Sequence, residues 1–359
     1  MMSTQPGVLN LPDPGKIYRV VQWATGRIGE SSLRELIRSS QFELAGVYVH
    51  SEAKDGRDAG ELCGLAPIGV RATRDINKII ALKPDCIVAM QEGANVDDVC
   101  RFLEAGINIA TSRVDYLEPD RMAPEVRRRT EEACRKGGAS IHATGASPGF
   151  SSEALPLVAA SMSRRMECMT IDEFADIPAS CPDVQVVEGM RFGRAPGEAF
   201  DKHLLAHISH GFEQSVSVIA KGLGLTLDGF DVFGETANAA ERFLLPGGTP
   251  IEKGTVAAQR ITVSGLLKGK AVIHYRLNWY CTTKVDQDWD LRRSGWRLLI
   301  EGETPVEINV TFPVSGAQLS PAMAALTAYR VINAVPYVCA AAPGIRTTID
   351  LPNIVPRMG

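Results

Sequence analysis

The run V-V-Q-W-A-T-G-R-I-G-E at 20–30 carries the clearest chemical spacing in the chain. It has the form of a G-x-G-x-x-G turn, with Ala24 in the first place and Gly26 and Gly29 in the other two. The middle glycine of such a turn lets backbone approach a pyrophosphate. The third lets the helix pack closely on the strand, and the free N–H groups at the helix start point at phosphates. Thr25, Gly26, Arg27 and Ile28 are therefore the expected pyrophosphate-holding residues, and the implied chemistry is hydride transfer with a nicotinamide dinucleotide. A tight turn with no cofactor is the structural alternative.

An NAD enzyme usually places an acid at the end of the second strand to bind the ribose hydroxyls. Here His50 and Ser51 stand there; Glu52 is nearby, but so are Lys54 and Arg57. A hydroxyl with nearby cations suits a 2′-phosphate, so NADP is the expected cofactor, with NAD possible. Met90 and Gln91, just past D-C-I-V-A-M, should border the cofactor crevice, and Ser112 closes the next strand, I-N-I-A-T-S. A second Gly-rich turn, A-T-G-A-S-P-G-F at 143–150, places Ser147 where it can face the nicotinamide or a substrate. Other constellations are weaker. His203, His207 and His210 share a helix face by spacing, as metal ligands can, but no convergent carboxylate accompanies them. Asp172, Glu173 and Asp176 could meet a substrate amine or lie on the surface. Phe150, Phe174, Trp279 and Tyr280 could line a pocket, though aromatics on apolar strands are more often core. No G-x-S-x-G elbow is present.

The elements that must hold these residues alternate. Strands are expected at 17–23, 43–50, 85–90, 107–112 and 140–145, with helices after Gly26 and over 75–82, 96–106 and 120–136. A long Gly-rich loop is expected at 51–74. Such alternation implies a Rossmann-type α/β fold, a doubly wound parallel sheet with helices on both faces. Beyond about 165 the texture changes. Strand patterns at 169–177, 260–267, 270–280 and 306–312, one long helix near 199–224 and Gly/Pro turns read as an α+β domain with a largely antiparallel sheet. The expected organisation is a dinucleotide-binding domain of residues 1–150, completed by a C-terminal helix within 321–359, and a substrate and dimerisation domain of 151–320. A small-molecule pocket is expected between them.

Length and charge bound the alternatives. The 359 residues are 45% hydrophobic with a formal charge of −4, the wrong balance for a nucleic-acid protein. Eight cysteines form no C-x-x-C pair, as in a cytoplasmic chain with reduced thiols. No apolar run is long enough for a membrane span, and the first 16 residues read as a loose arm rather than a signal peptide.

Four stretches together resemble the 2,4-diaminopentanoate dehydrogenases and native NAD(P)H-dependent amine dehydrogenases. They are V-V-Q-W-A-T-G-R-I-G, D-A-G-E-L-C-G at 58–64, A-T-G-A-S-P-G-F, and R-V-I-N-A-V-P-Y-V-C-A-A-A-P-G-I-R-T-T-I-D-L-P at 330–352. The first domain of that family is similar to dihydrodipicolinate reductase, whose own adjacent His pair followed by Lys is missing here. The resemblance implies reversible oxidative deamination of an amine, a homodimer, and a final helix that returns to the cofactor site, with Asn333 and Ser147 toward the nicotinamide. It also implies a carboxylate after the strand I-N-I-A-T-S, where the family carries Glu. The matching positions here are Val114 and Asp115, so Asp115 is the expected acid/base. Ala146-Ser147 likewise stands where the family often has Val-Asn. Three alternatives stay open: an oxidoreductase on another carbonyl, imine or C=C substrate, a catalytically silent NADP-binding protein, and a metal hydrolase built on the His203 helix.

Overall fold

The computed structural model describes residues 11–93, 95–314 and 316–357, so most of the expected N-terminal arm lies outside the described residues. The chain divides into two compact units, Met1–Phe150 with Met323–Gly359, and Ser151–Ala322.

In the first unit the elements run β1 (Tyr18–Trp23), α1 (Arg27–Arg38), β2 (Phe42–Tyr48), α2 (Ala59–Leu62), β3 (Ala72–Thr73), α3 (Ile76–Ala81), β4 (Cys86–Ala89), α4 (Val96–Glu104), β5 (Asn108–Thr111), α5 (Pro124–Gly137) and β6 (Ser140–Ala143). The seventh strand of its sheet comes from the far end of the chain. Every pair is parallel. The strand order reverses between β1 and β4, which neighbour each other at the centre, so the carboxyl ends of those two strands flank the switch point. Alternation along β1 explains the two-sided core. Val21 and Trp23 face Phe102, Leu103 and Ala133 of α4 and α5. Tyr18 and Val20 face the other way, onto Ala328, Val331, Ile332 and Val335 near the C-terminus.

The expected loop at 51–74 is more ordered than its glycines indicate. Asp58 is buried, and its carboxylate accepts the N–H groups of Gly60, Ile68 and Gly69. That cap starts α2 and folds the following turn back so that Ala72 and Thr73 pair with β2 as an edge strand.

The second unit holds α6 (Leu155–Ala160), β7 (Met166–Asp176), α7 (Lys202–Gly222), β8 (Gly229–Asn238), β9 (Phe243–Leu244), β10 (Pro250–Ile251), β11 (Val256–Leu267), β12 (Lys270–Tyr280), β13 (Gly295–Gly302) and β14 (Val306–Thr311). Two long strands, β8 and β13, were not anticipated. Six strands order as β14-β13-β7-β12-β11-β8, antiparallel throughout except for the central β7–β12 pair. One face packs Ile171, Ile261, Val263, Ile273 and Leu277 against Val216 and Ile219 of α7. The opposite face carries charge. Asp172, 1% exposed, takes Arg276 in a bidentate pair at 2.7 and 3.0 Å, and Arg297 Nε at 2.9 Å. Asp172 is therefore a buried structural anion, neither a surface acid nor an open substrate acceptor. Phe174 and Tyr280 are buried in a small core with Ala237 and Ala258.

The chain ends with α8 (Gly316–Ala340) and β15 (Gly344–Arg346), the latter an unforeseen edge strand pairing with β6. Helix α8 runs antiparallel to β6. Ser140, at the start of β6, donates to the Val338 carbonyl at 2.6 Å, and Arg330 Nε reaches Thr144 Oγ1, just past its end, at 3.4 Å.

Candidate active site

The site begins with the turn between β1 and α1. Ala24 occupies the left-handed region at φ 66, a conformation a glycine adopts without cost. Gln22, fully buried, holds the turn. Its amide donates to the Ala24 carbonyl at 2.9 Å and accepts from Ser32 Oγ at 2.6 Å. Gly29 is dictated by contact, since a Cβ there would stand 2.3 Å from the Ala24 oxygen. At Gly26 a Cβ would meet nothing within 4 Å, so the turn presents bare backbone to open space. Gly26 is also the N-cap of α1, with no side-chain cap. By contrast α2, α3, α4 and α7 are capped by Asp58, Asp75, Asn95 and Asp201. The start of α1 thus keeps its N–H dipoles for an anion.

The neighbouring strands end in register with this turn. Met90 N–H donates to the Trp23 carbonyl, Ser112 N–H to that of Ala89, and Thr144 N–H to that of Thr111. Ala24, Met90, Ser112 and Thr144 therefore lie in one row along the carboxyl edge of the sheet. Thr25 Oγ1 and Gln91 Oε1, each one residue further on, are buried with no hydrogen-bond partner. Buried polar atoms are ordinarily satisfied, so these two mark a place built for a polar guest. Asn333 on α8 lies one turn past Arg330, and Ser147 is in the turn after β6, before a cis Ser147–Pro148 peptide.

At the end of β2, His50 Nε2 accepts the Trp23 indole N–H at 3.0 Å, and the edge of Tyr48 meets its ring at 5.2 Å between centroids. The Tyr48 hydroxyl donates to Asp98 at 2.8 Å, and burial followed by that carboxylate pushes its pKa up. Ser51 is exposed. Lys54 folds onto the turn, donating to the Thr25 carbonyl at 2.9 Å, so its ammonium stands beside the fingerprint rather than out in a loop.

After β5, Asp115 sits in a short 3-10 turn, Val114–Tyr116, with its side chain 30% exposed. Its Oδ2 is held by the Arg113 guanidinium, and Oδ1 accepts from no described residue. Behind it the buried Tyr116 phenol is pushed to a high pKa by desolvation. Glu118, which spacing did not single out, is buried and caps the next turn by accepting Asp120 N–H at 3.0 Å. Among the described residues no group of His, Cys, Asp or Glu is arranged to hold a metal, and His203, His207 and His210 lie exposed on α7.

The comparisons agree with this geometry. Residues 20–108 match the dihydrodipicolinate reductase N-terminus, and 197–359 match the 2,4-diaminopentanoate dehydrogenase C-terminal domain. Across 92% of the chain and 95% of the relative, the sequence is 27% identical to an amine dehydrogenase of Streptomyces virginiae. In sequence and in fold the chain is similar to the amine dehydrogenases and 2,4-diaminopentanoate dehydrogenases. It is an NAD(P)-dependent oxidoreductase. Over 63 residues, 18% of the chain and 23% of the relative, the sequence is also 32% identical to a 4-hydroxy-tetrahydrodipicolinate reductase of Synechococcus elongatus. Its fold matches an amine dehydrogenase structure from Mycobacterium smegmatis with a TM-score of 0.74 at 18% identity, covering 96% of this chain and 98% of that one. Among the described residues no helix is long and apolar enough to cross a membrane.

Proposed function

We propose that the enzyme interconverts an amine and a ketone, by oxidative deamination in one direction and reductive amination with ammonia in the other. NADP is its preferred nicotinamide cofactor. When bound, that cofactor supplies the hydride donor or acceptor. The chain's own residues bind, orient and move protons. The backbone at Gly26, Arg27 and Ile28 faces the pyrophosphate, and Thr25 Oγ1 supplies the hydroxyl partner that the fold leaves unpaired. Met90, Gln91 and Ser112 border the crevice, and Ser147 and Asn333 serve the nicotinamide end. His50, Ser51 and Lys54 serve the 2′-phosphate. His50 and Ser51, rather than an acid, follow the last strand residues of β2, and Glu52 stands beyond them in the next turn.

Asp115 is the proposed acid/base. Arg113 fixes one carboxylate oxygen and leaves Oδ1 for a substrate nitrogen. An ammonium is well matched to such an anionic acceptor. The same oxygen can take the proton that the amine must lose before its carbon gives up a hydride. Water then adds to the resulting iminium carbon, and loss of ammonia leaves the ketone. The observation that carries this reading is the open, uncapped start of α1 together with an accessible carboxylate oxygen after β5 on the same sheet edge.

The test is NADPH oxidation by a ketone panel with and without ammonia, with amine product identified by mass spectrometry. Ammonia-dependent turnover is expected. Asp115→Asn should lower kcat/KM by about 10²–10⁴-fold while NADPH still binds. Turnover of ketones that ignores ammonia would refute the amine chemistry and favour a plain carbonyl reductase. The short side chain where the family carries Glu is the feature that would explain that result. NADPH binding without any turnover would identify a silent binding protein.

A further inference from the structure

The end of β2 holds a more specific device than a histidine near a phosphate. The indole Nε1–H of Trp23 can only donate. It lies 3.0 Å from His50 Nε2, so that nitrogen must be the acceptor. The proton of the neutral ring is then on Nδ1. Trp23 is fully buried and wedged against Phe102 and Tyr48 at 5.5 Å each, so the indole cannot turn away. Tyr48 adds an edge contact to the His50 ring. With Nε2 directed at a buried group, Nδ1 is directed away from the core. It has no partner among the described residues, and His50 is exposed.

We infer that Trp23 is a positioning residue for cofactor selection: it fixes His50 as the Nδ1–H tautomer, so the side chain closing β2 presents one outward donor and no acceptor. This rests on the proposed placement of the cofactor's adenosine end at β2. A 2′-phosphate offers only acceptors and fits a donor-only group. A ribose 2′-hydroxyl needs an acceptor for its own proton, which this imidazole, its one acceptor already used, withholds. Discrimination against NAD then comes from an unmatched hydroxyl as much as from attraction to phosphate.

Two isosteres separate the nitrogens. Asn overlays its amide nitrogen on the Nδ1 position, and Gln overlays its amide on Nε2. Dissociation constants for NADPH and NADH are measured by calorimetry on wild type, His50→Asn, His50→Gln, His50→Ala and Trp23→Phe. Histidine tautomers in the cofactor-free protein are read from ¹⁵N chemical shifts. His50→Asn should keep the NADPH preference within about threefold, whereas His50→Gln and Trp23→Phe should each lose about tenfold or more of it. The ¹⁵N spectrum should show a protonated Nδ1 and a bare Nε2 at His50 in wild type, and a tautomer mixture in Trp23→Phe. If Trp23→Phe is unstable, the two surface isosteres and the wild-type spectrum still decide. An Nε2–H tautomer in wild type, or His50→Gln matching His50→Asn while His50→Ala weakens NADPH, overturns the tautomer lock and leaves the cofactor placement standing. If His50→Ala changes neither affinity, the placement of the cofactor at β2 fails, and the inference with it.

Discussion

Gly26 and Gly29 are three residues apart in one fingerprint, yet they should fail in opposite ways when replaced by alanine. A Cβ at Gly29 would stand 2.3 Å from the Ala24 oxygen and 2.9 Å from its carbon. Both atoms are backbone in a turn clamped by Gln22, so no flexible side chain can yield. Ordinary contact requires the start of α1 to retreat by about 1 Å, a displacement that misplaces every phosphate-facing N–H. Overpacking of this kind costs about 1–3 kcal/mol, or roughly 2–4 °C of Tm per kcal/mol for a unit of this size. At Gly26 the added Cβ has open space and the backbone φ of −73 suits any residue. Only the poorer N-cap quality of alanine tells, at about 0.5–1 kcal/mol. That methyl nevertheless fills the gap through which a pyrophosphate approaches. Gly26→Ala should therefore melt within about 4 °C of wild type and bind NADPH at least about tenfold more weakly. Gly29→Ala should lose both stability and affinity. Differential scanning fluorimetry with and without nucleotide, and calorimetric titration, separate the two. Undiminished NADPH affinity in a folded Gly26→Ala would show that the phosphates do not approach this turn, and would refute the assignment of the fingerprint.

Three further substitutions have expected outcomes of their own. Ala24→Gly should raise stability by about 0.5–1 kcal/mol in a urea melt, because release of a left-handed alanine at φ 66 outweighs the added freedom of the unfolded glycine. Asp172→Ala leaves Arg276 and Arg297 facing each other without their shared anion. It should cost about 3 kcal/mol, somewhat eased by the partial exposure of the arginines, and a urea midpoint close to wild type would contradict the buried pair. His142 is buried and neutral, and its Nδ1–H donates to the Arg346 carbonyl at 2.7 Å, because a carbonyl can only accept. Burial holds its pKa down at about 4. The unfolded chain binds that proton near pH 6.5 and the folded chain does not, so stability present above pH 6.5 is lost as pH falls toward 4, by about 3 kcal/mol. His142→Gln should flatten that acid limb in urea melts at pH 7 and 5.

The sequence carried the strand–turn–helix order of the first unit because periodicity and turn chemistry are local. Val20, Val21 and Trp23 alternate against two cores, and α5 opens at Pro124 and closes at a left-handed Gly138. What it did not carry was non-local. Strands β3 and β15 are two and three residues long, and both exist only through pairing with a sheet edge. Asp58 orders the 51–74 segment through amides up to 11 residues away. Asp172 reads as one of three similar acids until β12 and β13 bring in arginines 104 and 125 residues distant. In the site, the turn glycines and the row of strand-end residues were legible from their spacing. The Gln22 clamp and the Trp23–His50 bond were not, since neither pairing leaves a motif. Asp115 came from resemblance alone, and its pairing with Arg113 is visible only in three dimensions.

The placement of β7 and β15 has a consequence for synthesis. Strand β7 sits at the middle of its sheet but is translated before both of its neighbours, and β6 receives its outer partner only from the last residues of the chain. Ser140 waits 198 residues for Val338. On the ribosome each sheet therefore stays open at an apolar strand until nearly all of the polypeptide has emerged. Long-range pairing of this kind is slow and exposes strand edges meanwhile. A chain cut short before Gly344 leaves β6 as a bare edge over a hydrophobic core. Such fragments should be prime clients for chaperones, and expression of this protein should tolerate C-terminal truncations poorly.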